Sequence, residues 1–208
     1  MLIIGLTGGI ASGKSAASHY FHSLGAALLS ADVLAREVVT IGSDGLKALT
    51  DAFGDVMLLA NGELDRKALR NRILESDDAR HTVNALLHPR IRALSELRID
   101  DAKNDGYDYL IYEVPLLIET QQADRFDRVV VVDVPLQLQI DRLLARDNTD
   151  GGNTNIGQVH AMLNAQASRD ERLAAADDVI DNSGTIEQLH EQVESLHQRY
   201  LSLSRLKP

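Results

Sequence analysis

The sequence of 208 residues contains no cysteine and no tryptophan. Without cysteine there is no disulfide, no zinc–thiolate site and no thiol nucleophile, and the composition fits a reducing compartment. Aromatic residues are 4% of the chain, so a core has to be built mainly from Leu, Ile, Val and Ala. No run is long and apolar enough to span a bilayer. Basic residues are also in deficit: 21 Lys and Arg stand against 31 Asp and Glu, a formal net charge of −10. A surface of that sign repels polyphosphate and argues against nucleic-acid binding, while a local basic cleft can still take a small anion. What remains is an ordinary globular balance, 44% hydrophobic and 25% charged, with enough chain for one domain and appended lobes. Met1–Leu6 is apolar but short and lacks a basic leader, so it is expected to be a strand rather than a signal peptide, and the chain is expected to be cytoplasmic.

Strand-like and helix-like segments alternate. Leu2–Thr7, Ala26–Ser30, Tyr107–Val114, Arg128–Val134 and Val179–Ile180 are short apolar runs with the look of buried parallel strands. Lys14–Leu24, Pro135–Arg146, Gln158–Ala176 and the stretch from Asp32 to about Lys103 read as helical. The last helix places Ile186, Leu189, Val193, Leu196, Tyr200 and Leu203 on one stripe by spacings of three and four. Asp147–Gly157 is polar and glycine-rich and reads as a flexible loop. The expected fold is α/β, with a five-stranded, mainly parallel sheet flanked by helices. The helical stretch after Asp32 and the loop after Arg146 look like insertions into it.

One motif is complete. Gly8-Gly9-Ile10-Ala11-Ser12-Gly13-Lys14-Ser15 satisfies G-x-x-x-x-G-K-[ST] between a strand and a helix, the context this phosphate-binding loop requires. Its glycines allow a tight turn whose N–H groups close on phosphate oxygens, and the following helix adds its positive N-terminal end. Lys14 supplies a point charge for the β- and γ-phosphates, and the Ser15 hydroxyl is a hard oxygen ligand for Mg²⁺. The loop specifies ATP binding but is silent on what is done with the nucleotide.

Ligands of open parallel sheets sit beyond the carboxyl ends of the strands. Asp32 follows the second strand and Glu113 closes the third. Asp32 is therefore the candidate to orient an acceptor hydroxyl and take its proton, with N-capping of the helix near Val33 as the equally weighted structural role. Arg142 and Arg146 share a helix face and could stabilise a transferring phosphoryl group, or simply pair with Asp141 or Asp147. His88, next to Pro89, reads as a helix-end or core histidine. Asp51-Ala52-Phe53-Gly54 matches a GTPase D-x-x-G, but no N-K-x-D accompanies it. His190-Glu191-Gln192-Val193-Glu194 lacks the second histidine of a zinc protease.

Taken together, several strings resemble the dephospho-CoA kinase family. They are Ile4–Ile10 with Ser12–Ser15, Ala31–Arg36, Leu86–Pro89, Val114–Leu117, Arg142 with Ala145–Asp147, and Ala176–Asn182, in the family's order over nearly the whole chain. The resemblance implies a single P-loop kinase domain over residues 1–208, with a helical CoA-substrate lobe near 32–103 and a lid near 142–176. It implies ATP- and Mg²⁺-dependent phosphorylation of the ribose 3′-hydroxyl of dephospho-CoA, giving coenzyme A and ADP. Asp32, Lys14 and Arg142 would be catalytic, and Gly8 to Ala16 with Arg142, Asn182 and Gly184 would hold ATP. Thr7, Asp32, His88 and Arg146 would face the acceptor, and Ser15 the metal. No nucleic acid or membrane partner is implied. Another nucleoside or nucleotide kinase, or a non-catalytic ATP-binding regulator, are the alternatives. Departures are Ala11 for a usual Gly, Ala16 for Thr, Ser30 for Asp, Glu113 for Asp, and an Asn- and Gly-rich stretch at Asn148–Asn155.

Overall fold

The computed structural model describes residues 1–149 and 155–207. Five strands form one sheet: β1 (Leu2–Gly8), β2 (Ala27–Ser30), β3 (Tyr109–Glu113), β4 (Arg128–Asp133) and β5 (Asp178–Asp181), in the order β2-β3-β1-β4-β5. β1 runs parallel to β3 and β4, and β4 runs parallel to β5. β1 is central and buried almost throughout, which explains its continuous rather than alternating apolar run. The connection leaving β1 goes to one side of the sheet and the connection leaving β4 goes to the other. The carboxyl ends of β1 and β4 therefore flank the crevice at which such sheets bind ligands.

Helices α1 (Lys14–Ser23) and α9 (Ile186–Ser204) pack together over the sheet. Phe21, Leu189, Val193 and Tyr200 meet Ile4, Leu6, Ile111, Val130, Val132 and Ile180 there. On β1, a Cβ at Gly5 would come within 2.7 Å of Leu117 and 2.8 Å of Phe126, so only glycine admits that layer so close to the strand. The C-terminal stripe differs from its expected course. Ile186 is exposed and His197 and Ser204 are buried, because the real helix face turns slightly from the apolar residues picked out by spacing. His197 is tolerated inside through a 2.6 Å hydrogen bond between its Nδ1 and the Tyr109 hydroxyl.

The chain divides into two compact units, one of residues Met1–Leu29 with Ala102–Pro208 and one of Ser30–Asp101. The second unit is helical: α2 (Ala31–Glu37), α3 (Asp44–Phe53), α4 (Arg66–Glu75) and the 28-residue α5 (Asp77–Asn104), whose last three residues fall in the first unit. Its own core gathers Val38, Leu46, Leu49, Met57, Leu64 and Val83. α5 continues through Pro89, although proline removes one helical hydrogen bond, and the Arg90 side chain donates to the Leu86 carbonyl at 2.5 Å. His88 is thus an exposed mid-helix residue, neither a helix end nor a core histidine.

The region after β4 is more helical than expected. α6 covers Leu136–Thr149 and α7 Ile156–Asn164, so both ends of the expected Asp147–Gly157 loop are helical, and residues 150–154 lie outside the described residues. Gln158–Ala176 is not one helix. It breaks after Asn164, and α8 (Arg169–Ala174) restarts on a capping box of Ser168 and Glu171. Among the described residues no helix is long and apolar enough to cross a membrane.

Candidate active site

The loop between β1 and α1 is shaped for an anion. Gly13 holds φ 94° and is the N-cap residue of α1, with no side chain to accept from the helix's first N–H groups. By contrast α3, α4, α7, α8 and α9 are each capped by a side chain, from Ser43, Asp65, Asn155, Ser168 and Thr185. The N-terminus of α1 therefore keeps its donors and its positive dipole end for something else. Inside the loop, the Ser12 hydroxyl is buried and, among the described residues, has no hydrogen-bond partner. An orphaned donor beside an uncapped helix end fits the phosphate oxygens of a nucleotide.

Lys14 arches back over the loop, and its Nζ donates to the carbonyls of Gly8 and Gly9 at 3.1 and 3.0 Å. The Ser15 hydroxyl donates to Glu113 Oε1 at 3.3 Å, and the buried Ser18 hydroxyl donates to Glu113 Oε2 at 3.0 Å. A hydroxyl and a carboxylate held together at the strand end are hard oxygen donors suited to Mg²⁺. Among the described residues no three acids or histidines are grouped to hold an ion by themselves, so such an ion would share its ligands with phosphates and water.

Arg142, on α6, is aimed at the loop. Its Nη2 donates to the Asn182 carbonyl at 2.9 Å and its Nη1 to the Ala11 carbonyl at 3.5 Å. Pairing with Asp141 is thereby replaced, since Gln137 is the residue that donates to Asp141. Arg146, one turn further on, is exposed. Asn182 sits beneath the loop, where its amide donates to the Ser12 carbonyl at 2.7 Å, while Gly184 is exposed nearby in sequence. Thr7 is buried, with its hydroxyl on the Pro115 carbonyl at 3.4 Å. Ala11 adopts φ 58°, the left-handed conformation that favours glycine, which accounts for its standing out within the motif. Ile10 is half-buried in a cluster with Ile140, Leu143 and Val159 of α6 and α7, and Ala16 is exposed on α1.

Asp32 and His88 belong to the second unit. Asp32 is not a helix cap, because α2 begins at Ala31 with Ser30 as its N-cap residue. It is the one acid of the first turn and is exposed.

Sequence reasoning passed over four side chains that bear on the loop. Gln139 donates to the Ile10 carbonyl at 2.8 Å, and Gln166 accepts from the Ile10 N–H at 2.8 Å. Asp133, buried at the end of β4, takes Arg169 on both carboxylate oxygens at 2.6–3.1 Å, which holds the Arg169 charge more firmly than usual. Arg172 lies buried beside Gly9. The strand-end rule that singled out Glu113 also reaches Asp133. The glutamines carry no such signal, because Ile10 is more than 120 residues away in the chain, and neither does Arg172, because Gly9, beside which it lies, is as distant.

The family model for dephospho-CoA kinase matches residues 2–188. The chain belongs to the dephospho-CoA kinase family. A dephospho-CoA kinase of Shewanella oneidensis is 46% identical over 202 residues, covering 97% of this chain and 95% of that one. A dephospho-CoA kinase structure from Campylobacter jejuni is 25% identical, with a TM-score of 0.69 over 96% of this chain and 97% of the other. A Thermus thermophilus crystal structure is 26% identical, with a TM-score of 0.78 over 95% and 97% of the two chains. As a member of that family the chain is a kinase, of which use of ATP is expected.

Proposed function

We infer that this chain transfers the γ-phosphoryl group of ATP to the ribose 3′-hydroxyl of dephospho-CoA, giving coenzyme A and ADP, the last step of coenzyme A synthesis. The observation that carries the reading is the uncapped, glycine-led N-terminus of α1 under Lys14, in a chain whose family model extends over residues 2–188. Transfer forms a bond from the 3′-oxygen to phosphorus and breaks the bond from phosphorus to the β-phosphate oxygen. The 3′-hydroxyl proton passes to the Asp32 carboxylate, and ADP leaves.

Lys14 and the loop N–H groups hold the phosphates in line, and Arg142 offsets the charge that spreads over the moving phosphoryl group. Ser15 and Glu113 would hold Mg²⁺ from the protein side, and the ion would neutralise phosphate charge. Residues 32–103 are assigned to the acceptor, with Thr7, His88 and Arg146 as its candidate contacts, and residues 142–176, of which 150–154 lie outside the described residues, are assigned to a lid. Asn182 and Gly184 border the adenine. The acidic surface and absence of cysteine support a cytoplasmic enzyme with no nucleic-acid partner.

The test is ADP release from ATP by purified protein, with dephospho-CoA set against a panel of nucleosides. Release that depends on dephospho-CoA supports the assignment, and preference for another nucleoside overturns it. Asp32→Asn is expected to lower turnover by about 10²–10⁴-fold while ATP affinity is kept. Turnover near that of the parent would remove Asp32 as the base.

A further inference from the structure

Arg172 is an unusual place to find a charge. Its side chain leaves the short helix α8 and is only 7% exposed. One end of the guanidinium, Nη1, donates to the Ala167 carbonyl. The other, Nη2, reaches the phosphate loop, 3.1 Å from the position a Cβ on Gly9 would take. Among the described residues Arg172 forms no ion pair. Three carboxylates are near enough to be felt, Glu119, Asp133 and Glu171; Glu171 Oε2 accepts from the Ser168 N–H at 2.8 Å and the Ser168 hydroxyl at 2.7 Å, and the other two are also engaged elsewhere. Glu119 Oε1 accepts from the Ala167 N–H at 2.8 Å, and both oxygens of Asp133 are taken by Arg169. Burial accordingly pushes the guanidinium below its ordinary pKa.

A buried guanidinium without a hydrogen-bonded acid is costly, and an apolar side chain of similar length would fill the space at less cost. The position gives a reason to keep it. Gly9, against which Nη2 lies, is also the residue whose carbonyl receives Lys14 Nζ at 3.0 Å. Two cations from opposite ends of the chain thus converge on one residue of a loop built for phosphate. Arg142 joins them at the Ala11 carbonyl.

We propose that Arg172 is a phosphate-binding residue that, with Lys14, engages the β- and γ-phosphates of the bound nucleoside triphosphate. The proposal rests on reading Gly8–Ser15 as a nucleotide site. The carbonyl of Ala167 aims the guanidinium while no phosphate is present, and the nucleotide supplies the anion that the surrounding carboxylates do not. A structural arginine would instead anchor α8 to the sheet, and the two roles predict opposite responses to removal of the charge.

The experiment compares Arg172→Met and Arg172→Lys with the parent. Nucleotide affinity is read by calorimetry with ATP and no acceptor, so an error in the acceptor assignment leaves this test intact. Melting is recorded without and with ATP, and turnover with dephospho-CoA. For Arg172→Met the nucleotide-free Tm is expected to be unchanged or higher, because an unpaired buried charge is gone. Its ATP-induced rise in Tm is expected to shrink, and kcat to fall about 10²–10³-fold, the usual effect of losing one donor to developing charge. Arg172→Lys is expected to lie between Arg172→Met and the parent in ATP affinity. A lower nucleotide-free Tm together with parental ATP affinity and kcat in Arg172→Met would overturn the proposal and make Arg172 an anchor. If Arg172→Met does not fold, Arg172→Lys decides: reduced ATP affinity supports the proposal, and parental affinity and kcat overturn it.

Discussion

The two ends of the sheet treat charge in opposite ways. At the amino end, the buried Asp178 carboxylate accepts from Arg128 Nε at 2.8 Å, Arg199 Nη1 at 2.5 Å and the Tyr200 hydroxyl at 2.9 Å. Its acceptor capacity is used and the arginines are neutralised, while burial and the nearby carboxylate push the Tyr200 hydroxyl well above its ordinary pKa. At the carboxyl end, Arg142 and Arg172 donate, among the described residues, to backbone carbonyls instead of acids. A closed network of the first kind rigidifies a fold, and cations left on neutral oxygens suit a site whose anion arrives with the ligand. Asp133 shows that the distinction is local, since it lies at the same end and is fully paired with Arg169.

This contrast separates stability from catalysis, and substitutions at the two ends should do the same. The largest expected effect is that of Lys14→Ala, with turnover down about 10³-fold or more and ATP affinity lost, at little change in nucleotide-free Tm. Steady-state kinetics beside a thermal melt checks it, and a variant with intact kinetics would remove Lys14 from the site. Next is Asp178→Ala, which leaves the buried Tyr200 hydroxyl, the half-buried Arg128 and the exposed Arg199 without their acceptor. It should cost about 1–3 kcal/mol of stability in a denaturant titration, with kcat per folded molecule unchanged. A loss of kcat in the folded fraction would break the division between the two ends. The smallest effect is expected for Ala11→Gly. Relieving a left-handed alanine returns about 1 kcal/mol, part of which is offset by the greater freedom of glycine in the unfolded chain. A loss of stability in the same titration would show that the φ of 58° carries no strain.

Much of this protein was legible without coordinates. The parallel α/β order, all five strands and the P-loop follow from apolar runs and from a motif of eight contiguous residues, because backbone turns and helix starts are set by near neighbours. Other readings failed where local pattern was the wrong guide. Asp32 was a plausible helix cap by spacing, yet α2 starts one residue earlier. His88 looked like a helix end because proline usually breaks helices, but α5 runs through Pro89. The helical stretch expected over Gln158–Ala176 is interrupted after Asn164, and the Ser168–Glu171 capping box restarts it at a point no hydrophobic period marks.

The sequence by itself determined that a phosphate loop stands between a buried strand and a helix, and with it the kind of chemistry. Only the tertiary structure decided which charges serve that loop. Gln139, Arg142, Gln166 and Arg172 come to Gly9, Ile10 and Ala11 from segments more than 120 residues further along the chain. Whether an arginine there meets a carboxylate or a carbonyl depends on how α6 and α8 leave the sheet. That is a matter of packing, which residue spacing does not encode.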